Sequence, residues 1–360
     1  MSVHLFTPLA LRGVALRNRI GVSPMCQYSC TDGFASDWHL VHLGSRAVGG
    51  AALVIVEATG VEARGRISPG DLGLWKDEQM EPLSRIARFI RAQGAIPGIQ
   101  LAHAGRKAST VIPWVGNRAL TKEEGAWEVV GPSPIAFSPT YPVPRELTKA
   151  EIDGIVREFA NATRRAHGAG FEVVEVHAAH GYLLHEFLSP LSNRRTDSYG
   201  GSFENRIRFV SRVMEAVRGE LPSELPVFVR ISATDWVDGG WDIEQSVELA
   251  GRLGRLGAEL IDVSSGGLLP GVKIPVGPGY QTGFAERIRR EAGILTAAVG
   301  EISSPEQADH IIRTGQADLV LLARGFLRDP YWPLHAARAL GHSSPVPNQY
   351  QRAFPELLKK

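Results

Sequence analysis

Residues 168–177 read GAGFEVVEVH, and they show the pattern that decides the fold: a helical stretch ends in glycine, and an apolar run follows at once. A glycine just past a helix can adopt the left-handed conformation that turns the chain into the next strand. The same junction recurs at 49–54, 94–96, 257–261 and 315–319. The runs that follow are short and often β-branched, which is typical of buried parallel strands.

The chain contains eight such runs, with helical patterns between them. They lie near residues 19–25, 52–58, 95–101, 171–177, 226–232, 259–265, 293–299 and 317–323. Strict alternation of strand and helix requires a parallel sheet with right-handed crossovers. Eight units favour an α/β fold of the (β/α)8 TIM-barrel type, and a doubly wound open sheet is the alternative.

Several helix starts carry their own signals. Thr148 with Glu151 reads as a capping box, and Asp242 can cap a helix that follows it. Pro330, directly after an aspartate, can open the last helix. These signals support the assignment of helices between the predicted strands.

Two segments depart from the plain repeat. Residues 102–147 are long and rich in proline, and they follow the third predicted strand, so we expect a capping loop over the catalytic face. Residues 342–360 form an irregular C-terminal tail whose aromatic residues suggest contact with a second subunit. We therefore predict one barrel domain over 1–360, assembled as a homodimer or homotetramer.

The composition excludes several classes of protein. The 360 residues carry a net charge of +1, which favours neither nucleic acid nor an anionic membrane as a partner. The N-terminus lacks a basic segment followed by an apolar one, and no apolar run approaches 18 residues, so we expect a cytoplasmic protein. Cys26 and Cys30 are too few for a disulfide framework or an iron–sulfur cluster.

Polar side chains follow the predicted strands, at the end of a barrel where catalysis takes place. His177 and His180 end the fourth run, three residues apart, and fit paired donors to a developing oxyanion. A zinc pair lacking a third ligand and satisfied core histidines are the alternatives. Tyr182 can be a general acid or a packed aromatic residue.

Two arginines point to an anionic or acceptor-rich ligand. Arg230 lies inside an apolar run, so it needs either such a ligand or a salt bridge. Arg324, with Gly300 and Gly325, follows the seventh and eighth runs, where barrels commonly bind phosphate. No G-x-G-x-x-G motif opens a helix after a strand, so a nicotinamide would have to visit the substrate site.

Residues 177–190 (HAAHGYLLHEFLSP), 193–202 (NRRTDSYGGS) and 204–206 (ENR) resemble the signature of the Old Yellow Enzyme family. Residues 23–28 (SPMCQY) are similar to its thermophilic-like, or xenobiotic-reductase-like, subclass. The resemblance runs from Leu5 to about Phe354. It implies an ene-reductase that takes electrons from NADPH or NADH and reduces activated C=C bonds of small molecules.

The resemblance also implies FMN bound at the barrel mouth. Gln100 would bind the pyrimidine edge of the flavin, Arg230 its N1 side and Arg324 its phosphate. The full implied cofactor set is Ser23, Pro24, Met25, Cys26, Ala58, Gln100, Arg230, Gly300, Ala323 and Arg324. Ala323 is a departure, because many relatives have glycine immediately before this arginine.

The implied catalytic and substrate-binding residues lie at the same rim. His177 and His180 would hold the electron-withdrawing oxygen of the substrate, and Tyr182 would supply a proton. Cys26 would tune the flavin, with Tyr28 beside the substrate. Arg352, in the tail, would reach the active site of a neighbouring subunit. The alternatives to this function are a flavin-free, metal-assisted lyase and a ligand-binding barrel without activity.

Overall fold

The computed structural model describes residues 4–358 and contains a closed barrel of eight parallel strands. In chain order the strands are Ile20–Val22, Leu53–Gly60, Ile96–Ala102, Val173–Ala178, Val227–Ser232, Leu260–Ser264, Leu295–Val299 and Leu319–Leu322. The eighth strand returns to the first, with Val320 opposite Ile20 and Leu322 opposite Val22. The (β/α)8 prediction is therefore confirmed, and the open-sheet alternative is wrong because the last strand pairs with the first.

Ten α-helices occur within residues 4–358. They are α1 Asp37–Val48, α2 Met80–Ala92, α3 Lys149–Gly168, α4 Leu183–Leu188, α5 Phe203–Glu220, α6 Ile243–Arg255, α7 Thr282–Ala292, α8 Pro305–Arg313, α9 Arg324–Arg328 and α10 Trp332–Leu340. None of these helices is both long and apolar enough to cross a membrane. The short helices α4 and α9 begin within five residues of the ends of the fourth and eighth strands, so they border the carboxyl-terminal face of the barrel.

The junction glycines behave as the sequence predicts. Gly50, Gly94, Gly170, Gly257 and Gly315 have φ values of +101°, +73°, +95°, +97° and +73°. A left-handed residue reverses the chain after each helix, and the next strand starts within a few residues.

The helix-start predictions have mixed outcomes. Thr148 and Glu151 form the capping box, and the Asp242 side chain caps α6. Pro330 does not open the last helix, which begins at Trp332. The Asp329 carboxylate accepts the backbone N–H of Tyr331 at 2.9 Å, and this local turn delays the helix.

An N-terminal hairpin, which the sequence pattern did not predict, closes the bottom of the barrel. Its two strands, Leu9–Leu11 and Val14–Leu16, pair antiparallel. Their leucine and valine side chains are buried in one cluster with barrel residues such as Leu53, Phe228 and Leu321. This apolar floor leaves the opposite, carboxyl-terminal mouth of the barrel as the place for polar side chains.

The two irregular segments contain short regular pieces. Residues 102–147 include a 3₁₀ helix at Gly105–Lys107 and a two-stranded ladder between Val130–Gly131 and Arg145–Glu146. The tail forms 3₁₀ helices at Asn348–Ala353 and Pro355–Leu358, and it packs on α10 through an apolar cluster. Residues 1–3 and 359–360 of the predicted domain lie outside the described residues.

Candidate active site

A cavity of about 180 Å³ opens at the carboxyl ends of the barrel strands. Four predicted cofactor residues line it: Arg230, Gly300, Ala323 and Arg324. Arg230 is 7% exposed, whereas the Arg324 side chain is 67% exposed. The cavity therefore runs from a buried guanidinium group to one at the surface.

Arg230 lies on the fifth strand, in register with Asp262 on the sixth. Its Nε lies 3.1 Å from Asp262 Oδ2, and its Nη1 donates to Ser23 Oγ at 3.2 Å. Arg230 therefore has the predicted salt-bridge partner and also lines the cavity, while its binding of a ligand stays a prediction. The Ser23 contact joins the first strand to this charge.

Gln100 and Glu175 add a polar pair beside this ion pair. Gln100 Nε2 donates to Glu175 Oε1 at 2.7 Å, and both side chains are buried. Burial, and then the charge of Asp262, raises the pKa of Glu175. The amide N–H₂ of Gln100 is directed at Glu175. Its carbonyl oxygen therefore remains available to accept a hydrogen bond from an N–H group of the predicted flavin ring. No sequence pattern predicted Glu175 or Asp262, because the role of an acidic residue on an apolar strand depends on which side chains lie beside it in the fold.

The two predicted histidines lie together. Their ring centroids are 5.2 Å apart with the rings nearly perpendicular. His177 Nδ1 accepts the backbone N–H of Ala179 at 3.3 Å, which assigns the ring proton to Nε2. His180 Nε2 lies 2.7 Å from Ser264 Oγ. Burial, and then the charge of Arg230, lowers the pKa of both rings, so each is neutral and has one N–H donor.

The loop that carries these histidines has a constrained backbone. His180 and Gly181 have φ values of +58° and +71°. A Cβ atom at Gly181 would lie 2.4 Å from the carbonyl oxygen of Gly267, so only glycine fits. The Gly181 N–H donates to His185 Nδ1 at 2.9 Å, and His185 Nε2 lies 3.0 Å from a buried Asp235 oxygen. These hydrogen bonds hold the backbone of the loop directly after His180.

Tyr182 follows at once and contacts His177, with ring centroids 5.1 Å apart. Burial raises the pKa of Tyr182 well above its usual value, so the phenol keeps its proton. Lys107, from the capping loop, lies over the Tyr182 ring with Nζ 5.4 Å from the centroid. Lys107 also donates to the carbonyl oxygen of His180 at 2.7 Å, and burial lowers its pKa to about 7. Lys107 was not predicted from the sequence, because it has no distinguishing pattern within its loop.

The residues after the first strand lie on another side of the site. The Cys26 thiol lies beside the Ala58 backbone and the Tyr28 hydroxyl, which both act to lower its pKa. Burial raises the pKa of Cys26 well above its usual value, so the thiol stays protonated. Pro24 and Met25, just before it, are half-buried. Cys26, Tyr28 and Ala58 are therefore neighbours at this side of the site.

The phosphate end of the predicted site has a feature that the sequence analysis missed. Arg324 forms an ion pair through Nη2 with Glu301 Oε1, and both residues line the cavity. Gly300 has a φ of +116°, and a Cβ there would meet Gln281 Nε2 at 2.6 Å. Ala323 has a φ of −107°, so the departure from glycine at this position costs no left-handed strain.

Arg352 is not near these residues within its own chain. It is exposed in the 3₁₀ helix Asn348–Ala353, where Tyr350 contacts Tyr331 at the N-terminal end of α10. Its predicted contribution to a neighbouring subunit stays a prediction. Within residues 4–358, no group of three His, Cys, Asp or Glu residues is arranged to hold a metal ion.

Comparison with known proteins agrees with this geometry. Residues 4–342 match the model of the NADH:flavin oxidoreductase / NADH oxidase family. The chain is 50% identical to an NADPH dehydrogenase of Geobacillus sp. (strain WCH70), over 98% of this chain and 99% of that protein. It is 45% identical to an NADH:flavin oxidoreductase of Gibberella zeae, over 98% and 90%. Morphinone reductase in complex with tetrahydroNAD is a structural neighbour, with a TM-score of 0.78, 28% identity and coverage of 96% and 93%.

Proposed function

The chain belongs to the NADH:flavin oxidoreductase / NADH oxidase family, and from that membership we propose that it reduces activated carbon–carbon double bonds. It is an FMN-dependent oxidoreductase that takes electrons from a reduced nicotinamide, and the resemblance to the Old Yellow Enzyme family is confirmed. The proposed substrates are α,β-unsaturated carbonyl and nitro compounds. The support for this substrate class is the set of proton donors at the barrel mouth.

The cavity fits FMN at both of its ends. The Arg230 guanidinium lines the buried part and can bind the acceptor atoms of the flavin ring. Gln100, fixed by Glu175, offers its carbonyl oxygen to a ring N–H. Arg324 at the surface, with the close approach allowed by Gly300, suits the phosphate. When bound, FMN supplies hydride transfer, from the nicotinamide donor to the substrate.

His177 and His180 polarise the substrate in this proposal. Two neutral imidazole N–H groups directed at one carbonyl or nitro oxygen stabilise the negative charge that grows as a hydride reaches the β-carbon. Tyr182, which keeps its proton, can then give it to the α-carbon. One hydride and one proton convert the double bond to a single bond, so atoms and charges balance.

The observation that carries the proposal is the packing of these three donors. His177 lies 5.2 Å from the His180 ring and 5.1 Å from the Tyr182 ring, measured between centroids. His177 is buried, and His180 and Tyr182 are half-buried. Desolvation, and for the two histidines the charge of Arg230, shifts their pKa values so that the imidazoles are neutral and the phenol is protonated. A metal-assisted lyase would instead need His177 and His180 to share a third ligand.

The test begins with the absorption spectrum of the purified protein. NADPH added without oxygen should bleach the flavin bands, and cyclohexenone should restore them. His177→Ala should slow this restoration by ~10²–10³-fold, the cost of one lost oxyanion donor, and should keep its FMN. His177→Asn is the matched control, since its side-chain N–H₂ can replace the donor. A His177→Ala protein that loses FMN but keeps its rate per bound flavin would contradict the assigned role.

We also propose a cytoplasmic homo-oligomer in which Arg352 contacts the substrate site of a neighbouring copy. The support is that the tail packs on α10 while the Arg352 side chain stays exposed. The native mass of the protein, together with the substrate KM of an Arg352→Ala variant, tests this arrangement. A monomer with unchanged KM would contradict it.

A further inference from the structure

Glu301 places a negative charge in the part of the cavity that suits a phosphate group. The outer lining contains two arginines, Arg324 and Arg328, and one carboxylate, Glu301. Arg324 pairs with Glu301 directly. A carboxylate among anion-binding groups needs an explanation, because it competes for the same guanidinium and repels a bound anion.

The Glu301 backbone cannot move away easily. Its φ is +48°, a left-handed conformation that non-glycine residues seldom adopt. Its carbonyl oxygen accepts the Gly279 N–H at 3.3 Å and the Gln307 side-chain N–H at 3.2 Å. The side chain can rotate about its own bonds, whereas its Cα stays at the cavity wall.

The Arg324–Glu301 ion pair is exposed enough for a phosphate group to replace the carboxylate. The Arg324 side chain is 67% exposed and that of Glu301 is 33% exposed. Such pairs are weak in water, so a phosphate dianion with more charge can replace the carboxylate. Replacement frees Arg324, but it leaves the Glu301 charge close to the phosphate.

We propose that Glu301 is an internal competitor of the FMN phosphate, so that it lowers the retention of FMN and reduces the preference for FMN over riboflavin. The inference concerns the cofactor and does not depend on the substrate class proposed above. Riboflavin has the same ring system without the phosphate, so Glu301 does not oppose its binding. Glu301→Gln removes the charge at nearly constant size and should therefore favour FMN selectively.

The experiment measures flavin selectivity. FMN-loaded protein is incubated with a graded excess of riboflavin, and the bound flavins are separated and quantified. Glu301→Gln should shift the bound ratio toward FMN by on the order of 5-fold at low salt. At ~1 M salt, where the screening length is ~3 Å, the shift should shrink. Release of FMN on dilution should also decrease in this variant.

Glu306→Gln is the matched control. Glu306 is exposed in the first turn of α8 and does not belong to the cavity lining, so its loss changes the net charge equally. An equal shift in Glu306→Gln would show a general charge effect and overturn the proposal. An unchanged or lower FMN preference in Glu301→Gln would also overturn it, because Glu301 would then be neutral or would help to orient Arg324.

Discussion

Replacing Gly181 with alanine should separate backbone strain from steric conflict at the catalytic loop. The φ of Gly181 is +71°, and a Cβ there would lie 2.4 Å from the Gly267 carbonyl oxygen. Gly201 offers a matched position, since its φ is +78° and nothing lies within 4 Å of its Cβ. The two substitutions share the left-handed conformation, and only Gly181→Ala adds a collision.

The expected magnitudes follow from these distances. The left-handed conformation costs an alanine ~1–2 kcal/mol, and the lower entropy of the unfolded chain returns ~0.4–1 kcal/mol. Gly201→Ala should therefore lower the free energy of unfolding by about 1 kcal/mol. Real Cβ atoms essentially never approach closer than 3.0 Å, so the Gly181 loop must shift by ~0.6 Å. Overpacking of this kind adds ~1–3 kcal/mol.

The shift should also affect catalysis, because His180 and Tyr182 flank this glycine. A 1 Å misplacement of reacting groups can cost ~10²-fold, so we expect the reoxidation of reduced flavin by cyclohexenone to slow by ~10–100-fold. Urea unfolding and single-turnover absorbance measure the two effects. If both variants lose the same stability and both keep the wild-type rate, the contact with Gly267 does not position the loop.

Two further predictions concern protons near the substrate. Tyr182→Phe should slow flavin reoxidation by ~10²–10⁴-fold with weakly activated enones, measured by stopped flow; an unchanged rate would mean that water or another group donates the proton. Burial lowers the pKa of Lys107 to about 7 in the folded protein, whereas the unfolded chain keeps a value near 10.5. The cost of burying Lys107 is therefore absent above the unfolded value and grows as pH falls toward 7, so stability should rise with pH between the two. Lys107→Met should flatten this rise in urea titrations between pH 7 and 9, and an unchanged slope would show that Lys107 is not the group responsible.

The barrel was predictable because its signal is local and repeated. Each helix-ending glycine and the apolar run after it lie within about ten residues, as at 168–177. The N-terminal hairpin was not predictable in the same way, because strands of three residues such as Leu9–Leu11 are too short to show a period. The hydrophobic side chains of the hairpin can be recognised as core residues only once the floor of the barrel is assembled around them.

The residues of the candidate site show the same difference between local patterns and contacts between distant parts of the chain. His177, His180 and Tyr182 lie in one short string, so the sequence could group them before any fold was known. Lys107 reaches the carbonyl oxygen of His180 across 73 positions of sequence, and such a contact leaves no local trace. Glu301 is likewise an ordinary surface residue until Arg324 folds against it.

The N-terminal hairpin also has a consequence for synthesis on the ribosome. Residues 9–16 leave the ribosome long before the last strand, yet the cluster that buries them includes Leu319 and Leu321 of that strand. Contacts over such separations form late, since the loop between them must close before they contribute. A nascent chain therefore carries an unburied apolar hairpin until translation has almost finished. Chaperones that recognise exposed apolar segments should therefore bind this hairpin in the nascent chain.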